Sequence, residues 1–111
     1  MKILYKRPFT QFVKKASKPL QLAIEDRVLE VCNNPKLGEQ KLGDLKGVLV
    51  FKFRFNKYEY LMAYRLENCK DAIDIISMSF YQIGSHENFY VELKRFLRQE
   101  PALEKVKGRK K

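Results

Sequence analysis

The sequence contains no tryptophan, only one histidine and only two cysteines. A structural zinc site takes about four Cys or His ligands, and Cys32 and Cys69 lie far apart, with no CxxC pair and no histidine cluster. We therefore expect two reduced thiols of a cytosolic protein. Walker loops, dinucleotide-binding fingerprints and nucleophile elbows are also missing. The sequence thus predicts no metal and no ATP or NAD cofactor.

Long apolar runs are missing as well. The apolar stretch at 1–5 is too short for a signal peptide, and no stretch approaches the roughly 18–20 apolar residues of a membrane span. We expect a cytoplasmic protein that has no membrane partner.

Positive charge is in excess. The chain contains 23 Lys and Arg residues and 13 Asp and Glu residues, so its net charge is +10. The segment 104–111 contains five basic residues and one acidic residue, so it contributes +4 and leaves +6 for the rest of the chain. Such an excess favours RNA, DNA or an acidic protein as partner. We expect one domain at 1–103 and a disordered basic tail at 104–111, either an RNA-binding arm or a solvated end.

The spacing of apolar residues predicts an α+β fold with the element order βααβββα. Two early helices meet at a proline and form a helical hairpin, three later strands with short turns form an antiparallel meander, and a C-terminal helix closes the chain. The predicted elements are a strand at 2–6, helices starting near Pro8 and Pro19, a loop at 36–47, strands after Gly47, at 58–66 and at 72–81, and a helix from the N-cap Ser85 to Pro101.

The first strand of the meander alternates clearly between apolar and basic residues. Phe51, Phe53 and Phe55 point to one face, which we expect the helical hairpin to cover. Lys52 and Arg54 point to the other face, which we expect to be left for function. Basic residues between aromatic ones suit a phosphate backbone with stacked bases, although any amphipathic strand needs polar residues on its wet face.

Four further residues are candidates for chemistry. Glu59 is a candidate base and Tyr60 a candidate stacking residue, although both also fit the start of an ordinary strand. His86 is expected at about the first position of the last helix, where free N–H groups favour a neutral imidazole and attract phosphate. Tyr90 follows one turn later on the same side. The alternative is a surface histidine near a helix cap with a partly packed tyrosine.

Several segments together resemble the RelE/ParE superfamily of toxins from type II toxin–antitoxin systems. The resemblance covers roughly residues 1–98 and rests on the element order and three segments. These are the leucine- and glycine-containing loop Lys41–Gly47, the basic strand Phe51–Phe55, and Leu61–Arg65, which resembles the family's following strand with its tyrosine.

The segment Ile83–Tyr90 is more specific, because it resembles the Gly-Ser/Thr-His motif of the YafQ-like branch, which has an aromatic residue four positions after the histidine. The resemblance implies that His86 and Tyr90 belong to an active site, with Glu59-Tyr60 as the acidic–aromatic pair. RelE differs, since it has a catalytic arginine where this chain has Leu61 and another where this chain has 81–83.

The resemblance implies a toxin that enters the ribosomal A site, cleaves mRNA without a metal and is inhibited by a cognate antitoxin. In this interpretation His86 is the acid–base residue, Lys52 and Arg54 bind the phosphate, Tyr90 and Tyr60 orient or stack on bases, and Glu59 is the partner base. We expect an acidic, partly disordered antitoxin segment along the sheet edge or across the basic face. Two alternatives remain, namely a ParE-like gyrase inhibitor without nuclease activity and a non-catalytic RNA-binding module.

Overall fold

The computed structural model describes residues 2–68 and 75–109. Within them the chain forms one five-stranded sheet with helices on both faces, so the predicted α+β fold is confirmed. The elements are β1 (Lys2–Tyr5), α1 (Arg7–Lys15), α2 (Lys18–Asn33), β2 (Glu39–Gln40), β3 (Leu49–Phe55), β4 (Tyr58–Asn68), β5 (Ile75–Ser85) and α3 (Phe89–Arg109), with short 3₁₀ turns at Pro35–Leu37 and Gly43–Leu45. None of the helices in the described residues is long and apolar enough to span a membrane.

The strands lie in the order β1-β5-β4-β3-β2. The meander of β3, β4 and β5 is antiparallel, as predicted, and β1 adds to its far edge parallel to β5. The turn between β3 and β4 consists of Asn56 and Lys57, which have φ values of 53° and 75°. Two consecutive positive φ angles match the right-handed twist of a hairpin, and asparagine tolerates that conformation well.

The helical hairpin begins as the sequence predicts. Ser17 caps α2, since its hydroxyl accepts a hydrogen bond from the Leu20 N–H at 3.4 Å, and the Gln21 amide joins the two helices by donating to the Val13 carbonyl at 2.7 Å. The hairpin covers the phenylalanine face of the sheet, as expected. Buried residues of this first core are Phe9, Leu20, Ile24, Val28, Val31, Leu49, Phe53, Met62, Tyr64, Met78, Phe80 and Ile83.

The opposite face is not left free along its whole length, which corrects the expectation from the sequence. α3 packs there and encloses a second core of Leu45, Val48, Val50, Leu61, Ala63, Tyr81, Phe89, Leu93 and Leu97. A β-bulge between Ala63 and Tyr64 locally shifts the register of β4 and β5, and Tyr81 joins this core. The open part of the face is reduced to the end that carries Lys52 and Arg54, which are both exposed.

Both predicted ends of the last helix are wrong. β5 continues to Ser85 because Ser85 still pairs with Tyr60, so α3 begins only at Phe89. α3 also continues through Pro101, which was expected to stop it. Proline disfavours a helix interior, but the residues that follow, Ala-Leu-Glu-Lys, are strong helix formers. Residues 104–109 thus lie in α3, and residues 110–111 lie outside the described part of the chain. The division into a domain at 1–103 and a basic tail at 104–111 stays a prediction.

Two predictions concern the end of β4 and the start of β5. The turn predicted at 67–71 begins inside β4, which runs to Asn68, and its other residues lie outside the described part of the chain, as does Cys69. The third meander strand was predicted at 72–81; β5 is described from Ile75 and extends four residues further, to Ser85. Cys32 is a half-buried free thiol.

Tyr64 connects the centre of the sheet to the segment between α2 and β3. Its side chain is fully buried, its hydroxyl donates to the Pro35 carbonyl at 2.6 Å, and it accepts from the Gly38 N–H at 2.9 Å. A Cβ on Gly38 would lie 2.7 Å from the Tyr64 hydroxyl oxygen. Gly38 has φ −71°, so the close approach of Tyr64, and not the backbone conformation, requires glycine here.

We expect Gly38→Ala to lower the free energy of unfolding by about 1–3 kcal/mol, because the new methyl group overpacks a buried contact. Gly84→Ala is the matched control, since its Cβ would come no closer than 4.0 Å to Phe89 and should change stability little. Urea unfolding of both variants measures the difference. Equal stabilities would contradict the packing argument at Gly38.

Tyr64 also predicts a loss of stability at alkaline pH. Burial raises the pKa of Tyr64 above its ordinary value of 10.0, against the opposing effect of the Gly38 N–H bond. The folded state therefore retains this proton more strongly than the unfolded state. The stability that protonated Tyr64 contributes is present below about pH 10 and is lost as the pH rises through the folded-state pKa. Tyr64→Phe should unfold more easily at about pH 8 but lose less stability than the wild type by about pH 11. Tyr58→Phe, at an exposed residue, is the control, and parallel pH profiles for wild type and Tyr64→Phe would contradict the assignment.

Candidate functional site

The candidate site lies where α3 stops covering the sheet. Lys52 and Arg54 alternate with Phe51 and Phe53 on β3, and they share their face with Val50 of the second core. Both basic side chains are exposed. One face of the strand therefore packs in the core under the hairpin, and the end of the other face carries two exposed cations.

The register of the meander brings the acid–base candidates next to these cations. Lys52 pairs with Leu61, which pairs with Gly84, so the Cα atoms of Lys52 and Gly84 are two strand spacings, or about 10 Å, apart. Arg54 pairs with Glu59. Glu59 and His86 are the next residues beyond the last pair of β4 and β5, Tyr60 with Ser85. Arg54, Glu59 and His86 thus lie towards the same end of three adjacent strands, with His86 in the turn that follows β5.

His86 lies in the turn between β5 and α3 and not in the first turn of the helix, which corrects the sequence prediction. The turn includes Asn88 with φ 63°, and the His86 carbonyl accepts from the Phe89 N–H at 3.3 Å. His86 therefore lies three residues before the first residue of α3.

The spacing of His86 and Tyr90 nevertheless brings their rings together. The ring centroids are 6.0 Å apart in an edge-on arrangement. Tyr90 is half-buried and also meets Phe89 edge-on at 5.2 Å, and Phe89 is anchored in the second core. The exposed histidine is thus placed against an aromatic ring that the core holds in position.

Lys41 belongs to the same group of residues, although the sequence indicated only a loop there. β2 pairs with β3, and the Lys41 N–H donates to the Val48 carbonyl at 2.9 Å, which places Lys41 beside the second core. Its ammonium lies 5.3 Å from the centre of the Tyr90 ring and 3.0 Å from the Glu39 carboxylate. Alternation of Glu39 and Lys41 around Gln40 is the sequence signal for this short strand, but two residues are too few to identify it.

The charges of this pair influence each other. The hydrogen bond from Lys41 lowers the pKa of Glu39, and the charge of Lys52 adds to the effect in the same direction. The hydrogen bond to Glu39 raises the pKa of Lys41, to which Tyr90 also contributes. Both shifts stabilise the charged forms, so an ion pair lies beside Tyr90 over the ordinary pH range.

Tyr60 is not brought together with the basic residues. It lies on the opposite face, stacked on Phe53 at 5.6 Å and edge-on to Phe12 at 6.1 Å. The period of two along β4 requires this, because Glu59 and Leu61 point to the α3 side. A stacking role for Tyr60 stays a prediction, and the geometry gives it no partner among the other candidate residues.

The chemistry of this site is that of a basic surface with a histidine and a carboxylate at its edge. Three cations (Lys41, Lys52 and Arg54) suit a phosphate backbone, and an imidazole is the side chain best suited to proton transfer near neutral pH. Within residues 2–68 and 75–109, no three His, Cys, Asp or Glu side chains lie close enough together to hold a metal ion.

Comparisons with solved structures give the same architecture. The chain resembles one chain of the intact E. coli RelBE toxin–antitoxin complex with a TM-score of 0.57 and 13% identity, over 78% of this chain and 96% of the other. It resembles the isolated E. coli RelE toxin with a TM-score of 0.55 and 13% identity, over 86% of this chain and 97% of the other. At this identity the likeness concerns the fold.

The sequence comparison identifies the family. No curated protein matches the sequence. Residues 3–94 match the model of the ParE-like toxins of type II bacterial toxin–antitoxin systems, which covers most of the chain and includes every candidate residue named above. The chain therefore belongs to the family of ParE-like toxins of type II bacterial toxin–antitoxin systems.

Proposed function

We propose that this toxin is a ribosome-dependent mRNA endoribonuclease that acts in the cytoplasm by metal-free acid–base cleavage. The observation that carries the proposal is the row of Arg54, Glu59 and His86 at the end of β3, β4 and β5. It combines a cation for the phosphate with two groups able to transfer protons. The Gly-Ser-His segment and Tyr90 add the resemblance to the YafQ-like branch.

The cleavage needs two proton transfers. A base removes the proton of the 2′-hydroxyl as its oxygen attacks phosphorus, and an acid gives a proton to the 5′-oxygen as its bond to phosphorus breaks. We assign one of these roles to His86 and the partner base to Glu59. Lys52 and Arg54 stabilise the additional negative charge on the phosphate oxygens. Tyr90, 6.0 Å from His86, orients the imidazole or stacks on the nucleotide.

We expect His86→Ala to lower mRNA cleavage by about 10²–10⁴-fold, the usual contribution of general acid–base catalysis. His86 is exposed, so the variant should fold, which urea unfolding checks. The measurement is primer extension on mRNA after induction in cells, with Asn33→Ala, at an exposed residue of α2, as the control. Cleavage by His86→Ala at the wild-type rate would contradict the assignment.

The family model favours a second candidate, because it is named for ParE-like toxins. In that case the toxin inhibits DNA gyrase and does not cleave RNA. The same induction experiment separates the two functions if gyrase supercoiling is assayed in parallel. Growth arrest with intact mRNA and inhibited gyrase would replace the nuclease proposal, and RNA binding without growth arrest would indicate a non-catalytic RNA-binding module.

We also propose a cognate antitoxin with an acidic, partly disordered segment as partner. The similar RelE fold occurs in a toxin–antitoxin complex, and the net charge of +10 favours an acidic partner. A groove of about 750 Å³ lined by residues of β1, α1 and α2 contains the exposed Leu22 and Leu29, together with Lys14, Lys18 and Glu25. Exposed leucines next to lysines suit an amphipathic acidic helix.

We expect the product of a neighbouring gene to relieve growth arrest when it is co-expressed with the toxin. Leu29→Asp should leave the toxin active but weaken antitoxin binding about tenfold or more, because it removes apolar contact area and places a negative charge opposite an acidic segment. Val91→Asp, at an exposed residue of α3, is the control. Titration calorimetry measures both affinities, and unchanged binding by Leu29→Asp would contradict the role of the groove.

A further inference from the structure

The Glu39–Lys41 pair on β2 differs from an ordinary surface ion pair in how its two members are held. The Lys41 side chain is 23% exposed, whereas that of Glu39 is 67% exposed. Lys41 is fixed by the Tyr90 ring and by the pairing of its N–H with Val48. The cation is therefore held in place, while the carboxylate is free to move into solvent.

A second cation is close to the same carboxylate. Glu39 pairs with Val50, and Lys52 follows on the same face two residues further along β3. The charge of Lys52 contributes to the lowered pKa of Glu39. In the strand register Glu39 thus lies between Lys41, whose ammonium is 3.0 Å from its carboxylate, and Lys52. A phosphate bound by both lysines would take the position of this carboxylate.

We propose that Lys41 and Lys52 bind a backbone phosphate of single-stranded RNA at the β2 edge, and that Glu39 occupies this position until RNA displaces it. The proposal rests on the proposed function, because it adds a phosphate position to the same site. That position lies towards β2, away from Arg54, Glu59 and His86, so Lys52 would lie between this phosphate and the one that is cleaved at Arg54. The RNA would then run from the turn before α3, past Tyr90, to the sheet edge.

The arrangement predicts opposite effects for the two members of one ion pair. Loss of Lys41 removes a phosphate contact, so binding weakens. Loss of the Glu39 charge removes a competing anion, so binding strengthens. A purely structural ion pair would give losses for both substitutions or changes for neither.

The test is fluorescence anisotropy with a labelled single-stranded DNA of about 12 nucleotides, a length within the range of small binding sites. DNA lacks the 2′-hydroxyl and so is bound without being cleaved. We expect Glu39→Gln to tighten binding about two- to fivefold, the range of a surface ion pair. The matched control is Glu30→Gln, because Glu30 forms a comparable pair with Arg27 at 3.2 Å on the far side of the molecule and loses the same charge.

Lys41→Met should weaken binding. It should also reduce the magnitude of the slope of log K against log salt concentration by about 0.7, the value for one phosphate contact on a single strand. Lys41→Arg keeps the cation and should bind as the wild type does. Lys14→Met on α1 is the control for the change in net charge. Urea unfolding checks that each variant is folded. If Lys41→Met does not fold, the Glu39→Gln variant still tests the proposal, because Glu39 is exposed.

The proposal is overturned if Glu39→Gln binds DNA no more tightly than Glu30→Gln, or if Lys41→Met matches Lys14→Met. It is also overturned if Glu39→Gln strengthens only the binding of an acidic antitoxin peptide, since the position would then accept protein carboxylates. The outcome is independent of catalysis. If the variants bind DNA as expected but mRNA stays intact in cells, the phosphate position is retained and the nuclease is rejected. If mRNA is cleaved but the variants do not change DNA binding as expected, the nuclease is retained and the phosphate position is rejected.

Discussion

The hydroxyl of Tyr64 is the constraint on which the arrangement of the site depends. It lies in the middle of the sheet and makes two hydrogen bonds to one short segment, to the Pro35 carbonyl and from the Gly38 N–H. That segment leads directly into β2, which carries Glu39 and ends just before Lys41. A buried bond thus fixes where an edge strand starts, and the edge strand places a lysine against Tyr90. The stability of the core and the position of the Lys41 cation therefore share one origin.

The second constraint is that both faces of the sheet are covered. The helical hairpin encloses one core, and α3 encloses the other. Only the end of the sheet beyond Val50 and Leu61 keeps an open face, and there the strands carry Lys52, Arg54 and Glu59. The candidate residues lie at this end because polar side chains remain hydrated there and no desolvation cost arises.

Residues whose pattern is local were predictable from the sequence. The alternation along β3 was predicted and is confirmed. The Asn56-Lys57 turn and the cap at Ser17 are likewise determined by neighbours in the chain. The His86–Tyr90 contact followed from a spacing of four. Features that depend on distant partners were not predictable. β2 exists through pairing with β3 and the Tyr64 bonds, and β5 extends to Ser85 through pairing with Tyr60.

The site itself was predictable by residue type and less so by geometry. Strand register places Lys52, Arg54, Glu59 and His86 towards the same end of β3, β4 and β5. Lys41 was missed because a lysine in a glycine-containing loop has no distinguishing pattern. Tyr60 was grouped with the basic residues by its place in the sequence, although the alternation of β4 turns it towards Phe12 and Phe53. The roles of these residues stay predictions.

Leu61 explains why the candidate chemistry lies at the turn and not in the middle of the strand. The resemblance to RelE aligns Leu61 with a catalytic arginine, but here the side chain is fully buried in the second core. An arginine there would place a charge beneath α3 without a partner, which is costly. This chain uses that position for packing, and Phe89 from the same core fixes the start of α3. The packing that excludes a charge at Leu61 also holds Tyr90 beside His86. One core thus excludes a charged side chain at Leu61 and also holds the candidate residues His86 and Tyr90 together.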